Sequence, residues 1–142
     1  MSIRVAATDA EILACHGVMV GLRPHVPRET FVERVRRQAK DGYRLAYVEE
    51  GGRPVAAAGY RVLENLAWGR FLYVDDLVTD EKLRSKGHGQ RLLDWLVAEA
   101  RREGCGEFHL DSGVHRHGAH RFYLMKRMDI TSYHFAMKLG PT

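Results

Sequence analysis

The sequence predicts one α/β domain of the α+β type, a mixed and mostly antiparallel sheet with helices against it. Three observations predict it. Apolar residues recur at helical spacing before residue 42 and after residue 88, and alternate between residues 43 and 79. Turn signals divide that middle stretch into three strands with no helix between them, the mark of an antiparallel meander. Finally, 142 residues without a visible linker or repeat suit a single core, so the expected domain spans residues 1–142.

The elements follow in order. Ile3–Ala6 reads as a short strand. Thr8-Asp9-Ala10-Glu11 is a capping box, with Ile12, Leu13, His16 and Met19 as the stripe of the helix it opens. The prolines of "LRPHVP" stop that helix, because neither can sit inside a regular one. A second helix is expected over Glu29–Lys40, with Phe31, Val35 and Ala39 on one side and Gly42 beyond its end. "YRLAYVEE" (43–50) and "PVAAAGYRVL" (54–63) flank the turn Glu50-Gly51-Gly52-Arg53, and Asn65–Gly69 leads into "RFLYVDDLVT" (70–79). Leu92, Leu93, Leu96, Val97 and Ala100 form the stripe of a third helix, bracketed by Gly104 and Gly106. "EFHLDS" (107–112) reads as a strand and "RHGAHRFYLMKRM" (116–128) as a shorter helix. "ITSYHFAMKL" then closes the chain as a strand with Tyr133, Phe135, Met137 and Leu139 on one face.

Composition narrows the class. Hydrophobic residues are 45% and charged residues 28%, as in soluble globular proteins. No apolar run approaches the ~20 residues of a membrane span. The N-terminus lacks an apolar signal core, so a cytoplasmic location is expected. Cys15 and Cys105 stand far apart with no CxxC partner and read as reduced, small apolar residues. A net charge of +4 and a pI near 9.3 favour anionic ligands weakly. The arginines of "RPHVPRETFVERVRR" are interleaved with Glu29 and Glu33, which reads as a solvated helix face rather than a nucleic-acid surface.

The stretch "LRSKGHGQRLL" (83–93) stands out because cations and bare backbone precede an amphipathic helix. A helix start exposes unpaired N–H groups and a partial positive charge. Gly87 and Gly89 leave room for a phosphate and permit unusual φ values, while Arg84 and Lys86 add charge. A pyrophosphate fits better than a single carboxylate; a solvated basic loop is the alternative. A dinucleotide fingerprint would need glycine at position 92, where Leu92 stands, and a P-loop needs a Gly-Lys pair, which the chain lacks.

The remaining spacing, Arg84-x-x-Gly87-x-Gly89, resembles motif A of the GNAT N-acetyltransferases. The likeness covers nearly the whole chain: the element order is shared, "DDLVTDEKLRSKGHGQRLLDWL" is similar to that family's strand-loop-helix, and "AHRFYLMKRMD" is similar to its later segment with a Phe-Tyr pair. Two positions depart from the pattern: Arg116 stands where the family often has Asn, and Arg127-Met128 where it often has Gly-Phe.

The resemblance implies a sheet of six to seven strands with about four helices, and transfer of acetyl from acetyl-CoA to a primary amine of a small molecule or protein by direct attack in a ternary complex. It implies that backbone at Leu77, Val78 and Thr79 holds the pantetheine arm. The same likeness puts Arg84, Ser85, Lys86, Gly87, His88, Gly89 and Gln90 around the pyrophosphate, and His120 along the coenzyme groove. His88 is expected to act through its backbone N–H. Tyr123 matches the family tyrosine near the thioester sulfur, and a phenol of pKa ~10 can protonate a leaving thiolate at neutral pH. Asp75 is the candidate for binding and deprotonating the amine. Strand alternation would point it away from Asp76 and onto the face of Tyr73 and Leu77. A surface carboxylate at a strand bulge is the competing reading of Asp75.

No metal is assigned: His115, His117 and His120 cluster, but Asp111 is the only carboxylate adjacent to them. The expected partners are acetyl-CoA and an amine, with no nucleic acid or membrane, and the apolar last strand leaves a homodimer open. "GLRPHVPRET" is expected to shape the acceptor pocket. The rival function is a non-catalytic acyl-CoA sensor that keeps the turn without the chemistry.

Overall fold

The computed structural model describes residues 2–141, with the side chain of Ser85 outside the description. These residues form two compact units, 2–110 and 111–141.

The first unit is a five-stranded sheet in sequence order: β1 (Ile3–Val5), β2 (Arg44–Glu50), β3 (Arg53–Asn65), β4 (Gly69–Thr79) and β5 (Glu107–Leu110). The first four pair antiparallel, and β5 adds parallel to β4. That parallel step requires a crossover, which α4 (His88–Arg102) supplies. Helices α1 (Asp9–Ala14), α2 (His16–Met19) and α3 (Arg28–Ala39) cover the other face.

Period two persists in β2 although both faces are covered. Leu45 and Tyr47 pack with Ile12, Val18, Phe31 and Val35 from α1–α3, while Ala46 and Val48 pack with Leu92, Leu96 and Ala100 from α4. The run of small residues in β3, Ala56, Ala57 and Ala58, is fully buried and lets helices approach from both sides. The capping box forms as expected: Thr8 Oγ1 accepts from the Glu11 amide at 3.1 Å, and Glu11 Oε1 accepts from the Thr8 amide at 2.9 Å. The Thr8 amide, joined by the Ala7 amide at 3.0 Å, holds the Glu11 carboxyl down at about 2, from its ordinary 4.5. The helix it opens bends at Cys15, which ends α1 and starts α2, so the buried stripe runs Ile12, Cys15, Val18 and Met19.

Two expectations about β4 and the strand count need correction. A bulge falls in β4: Gly59 pairs with Asp76 and Tyr60 with Val74, leaving Asp75 as the extra residue. Alternation therefore fails there. Val74 and Leu77 both pack toward α4, and Asp75 does not share a face with Leu77. The sheet has five strands among the described residues, not six or seven.

The second unit contains α5 (His117–Met125), shorter than the expected 116–128. It ends in a Schellman motif: the Met128 amide donates to the Tyr123 carbonyl at 3.1 Å and the Arg127 amide to the Leu124 carbonyl at 3.0 Å. Arg127 occupies the left-handed position of that motif, at φ 66°. The closing stretch, expected as a strand, has no regular secondary structure, and Ile130, Tyr133, Phe135, Met137 and Leu139 are 75–92% exposed. A strand needs a neighbour to satisfy its backbone, and this stretch takes no ladder bonds.

Candidate active site

The basic glycine turn sits where β4 hands over to α4. Two short 3-10 turns within Glu81–Lys86, separated by a kink at Leu83 (φ −118°, ψ 15°), lead to Gly87, which takes the left-handed conformation (φ 77°, ψ 16°) and serves as the N-cap of α4. No side chain caps that helix. The first intrahelical bond at this end runs from the Arg91 amide to the Gly87 carbonyl at 3.1 Å, so the amides of His88, Gly89 and Gln90 precede the helical ladder. Gly89 is needed for closeness: a β-carbon there would stand 3.3 Å from the Thr79 methyl, tighter than ordinary contact. Arg84 and Lys86 are exposed beside the turn, with loose contacts to Glu81 at 3.5 Å and Glu50 at 4.0 Å.

The turn is clamped at both ends by the tip of the β2–β3 hairpin. At its start, Asp80 accepts from the Lys82 amide at 3.0 Å and pairs with Arg53 at 2.8 Å, and its own amide donates to the Val55 carbonyl. Arg53 is the largest cause of the lowered Asp80 pKa. At its end stands His88, whose side chain is fully buried. Arg91 Nη2 lies 2.6 Å from Nδ1 of His88, and Nε2 lies 3.1 Å from Glu50 Oε2. A guanidinium only donates, so Nδ1 accepts and Nε2–H donates to Glu50. His88 thus has a ring role that sequence reasoning missed, because its partner Glu50 is 38 residues away.

The bulge gathers both β4 carboxylates toward the α1–α3 side. Arg61 grips Asp75 in a two-pronged pair, both bonds 2.8 Å, and lies over the Tyr73 ring. Asp76 accepts from Arg23 at 2.8 Å and from the Tyr43 hydroxyl at 2.7 Å. Burial, then the Asp76 charge, raises the Tyr43 pKa well above the ordinary phenol range. Arg23 also donates to the Asp75 carbonyl at 2.9 Å, which fastens the α2–α3 loop to the bulge. The stretch expected to shape an acceptor pocket therefore touches the two aspartates directly.

In the second unit Tyr123 is half-buried on α5. Burial raises its pKa, opposed by the charge and hydrogen bond of Arg116. His120 is on the same helix and its Nε2 lies 2.8 Å from the Gly113 carbonyl. Among the described residues no group of three His, Cys, Asp or Glu side chains is placed to hold a metal ion. None of the helices there is long and apolar enough to cross a membrane.

Residues 12–128 match the acetyltransferase (GNAT) family. The chain belongs to that family. An uncharacterised N-acetyltransferase of Bacillus subtilis (strain 168), YhdJ, is 37% identical to this GNAT protein over 120 residues, 83% of this chain and 84% of its own. A proposed acetyltransferase of Agrobacterium tumefaciens str. C58 is similar in structure, with TM-score 0.83, 23% identity and coverage of 97% of this chain and 99% of that one. A ribosomal-protein-alanine N-acetyltransferase of Brucella melitensis biovar Abortus 2308 superimposes with TM-score 0.82 at 13% identity, covering 98% of this chain and all of the other. At such identities the two structures establish the GNAT fold alone.

Within this GNAT chain, Leu77, Val78 and Thr79 end β4 next to the turn that carries Arg84, Lys86, Gly87, His88, Gly89 and Gln90. The side chain of Ser85 lies outside the described residues. Asp75 belongs to the same strand, and Tyr123 and His120 to the second unit.

Proposed function

We propose that this GNAT protein is an acetyl-CoA-dependent N-acetyltransferase acting on a primary amine, by direct attack in a ternary complex. The observation that carries it is the turn at Gly87: a left-handed glycine opens α4 without a side-chain cap and is clamped at Asp80 and His88. A diphosphate fits that geometry, because the amides of His88, Gly89 and Gln90 precede the helical ladder and Arg84 and Lys86 stand exposed alongside. When bound, acetyl-CoA supplies the activated acetyl thioester.

The chain's own residues supply the rest. Amides of His88, Gly89 and Gln90, with Arg84, Lys86 and the backbone of Ser85, hold the diphosphate. The exposed edge of Leu77–Thr79 binds the pantetheine arm as an added strand would. Tyr123 gives its proton to the leaving sulfur; its raised pKa keeps the phenol protonated at neutral pH. His120 lines the coenzyme groove. Asp75 attracts the cationic amine and then accepts its proton, directly or through water. Arg61 occupies both Asp75 oxygens before the amine arrives, so the incoming ammonium takes over one of them. A single folded domain over residues 1–142 and a cytoplasmic setting complete the reading.

The Arg61–Asp75 pair also favours a second reading, an acyl-CoA sensor whose acidic residue is neutralised. An amine panel assayed by release of free CoA separates the two. The transferase reading expects turnover on at least one amine, reduced ~10²-fold or more in Tyr123→Phe and in Asp75→Asn. Coenzyme binding without turnover on any amine establishes the sensor instead, and full activity in both variants removes the two catalytic assignments.

A further inference from the structure

Two aspartates and two arginines at the β4 bulge cancel one another's charge. Asp75 takes Arg61 and Asp76 takes Arg23, each contact at 2.8 Å. The two pairs are not equally fixed. Asp76 also accepts from the buried Tyr43 hydroxyl, and Arg23 is anchored a second time on the Asp75 carbonyl. The Arg61–Asp75 pair is closer to solvent, with side chains 33% and 24% exposed. Its Nε prong joins Asp75 Oδ2 and its terminal Nη2 prong joins Oδ1. The guanidinium carbon lies 5.7 Å from the centre of the Tyr73 ring, a face that keeps the arginine head in place when one prong opens. Asp41 reaches Arg61 only through its charge, and more weakly than Asp75 does.

A partly buried ion pair selects what enters it. A ligand that is only a cation can take Asp75 Oδ1, but it leaves Nη2 without its acceptor and adds a positive charge to a neutral cluster. A ligand carrying an ammonium and a carboxylate a few bonds apart does neither. Its ammonium takes Oδ1, its carboxylate takes Nη2, and the cluster stays neutral with both groups matched. We propose that the amine acceptor is a free amino acid, inserted as a zwitterion into the terminal prong of the Arg61–Asp75 pair. The inference rests on the transferase reading of this site. The Nε prong stays closed and keeps Asp75 oriented. The ammonium loses one proton to Asp75 before attack. It loses a second as the N–C bond forms and the C–S bond breaks, and that proton goes to the sulfur. Asp75 then passes the first proton to water. The product nitrogen is an uncharged amide, so Oδ1 and Nη2 rejoin and the N-acetyl acid leaves.

Free CoA release is to be followed with the wild-type chain on matched sets: each amino acid, its α-amide and its decarboxylated amine. For the preferred side chain, kcat/KM on the acid should exceed that on both partners by about 10²-fold or more. Arg61→Gln should bring the three within about threefold of one another, chiefly by raising KM for the acid. Arg61→Lys, which keeps the charge without the fork, should recover part of the preference. A purely structural role would depress all three substrates together. The wild-type comparison stands even where a variant fails to fold. Wild type that acetylates the amide or the amine as readily as the acid overturns the proposal and leaves the transferase reading in place. So does an Arg61→Gln enzyme that keeps the preference. No turnover on any member of the panel removes both.

Discussion

Replacing Gly59 by alanine tests how tightly the bulged centre of the sheet is built. A β-carbon at Gly59 would stand 1.8 Å from the Tyr43 oxygen and 2.2 Å from the ring carbon that bears it. Neither partner has room to yield. Gly59 lies in β3, paired with Leu45 on one side and Asp76 on the other. Tyr43 is 6% exposed and its hydroxyl is bonded to Asp76. Displacing the ring adds overpacking strain and breaks a buried bond to a carboxylate, together about 3–5 kcal/mol. A domain's whole stability is about 5–15 kcal/mol, so the melting temperature should fall by about 10–15 °C. Denaturant unfolding followed by circular dichroism measures the loss. Tyr43→Leu removes the obstacle, so the double variant should cost less than the sum of the singles by about 1–3 kcal/mol. A Gly59→Ala protein within about 1 kcal/mol of wild type, or strict additivity in that cycle, would refute the reasoning.

Other outcomes follow from single backbone and titration features. Arg127 holds the left-handed position of the Schellman motif that ends α5, so Arg127→Gly should raise stability by about 1 kcal/mol in the same assay. A β-carbon at Gly87 meets nothing within 4 Å, so Gly87→Ala should cost only its left-handed strain, about 1–2 kcal/mol, while weakening acetyl-CoA binding by calorimetry about tenfold or more. The Glu11 carboxyl titrates at about 2 when folded, against an ordinary 4.5. Its contribution is therefore complete above 4.5 and disappears as the pH falls toward 2. Glu11→Gln should flatten the decline in denaturant midpoint across that window while lowering it at neutral pH.

Sequence showed what local patterns specify. The capping box at Thr8, the alternation through β2 and β3, and the α4 stripe of Leu92, Leu93 and Leu96 all depend on neighbours within a few residues. The glycine turn was readable for the same reason, since Gly87 and Gly89 carry their conformational meaning alone. What escaped depended on distant partners. The burial of His88 is decided by Glu50, and a histidine between two glycines offers no hint of it. The bulge at Asp75 inserts one residue against β3, and nothing in "YVDDLV" marks which aspartate is extra. That single insertion turned both carboxylates toward Tyr43, Arg23 and Arg61, whereas alternation predicted opposite faces. The closing strand shows the converse: its pattern was plain, but a strand exists only when another strand pairs with it.

The central claim is that the amides opening α4 hold the coenzyme's diphosphate. Titrating the full chain with acetyl-CoA while following backbone amide resonances by NMR tests it most directly. Saturable shifts, largest at His88, Gly89 and Gln90 and shrinking in added salt, are expected. Shifts that never saturate, or that concentrate away from that turn, would contradict it.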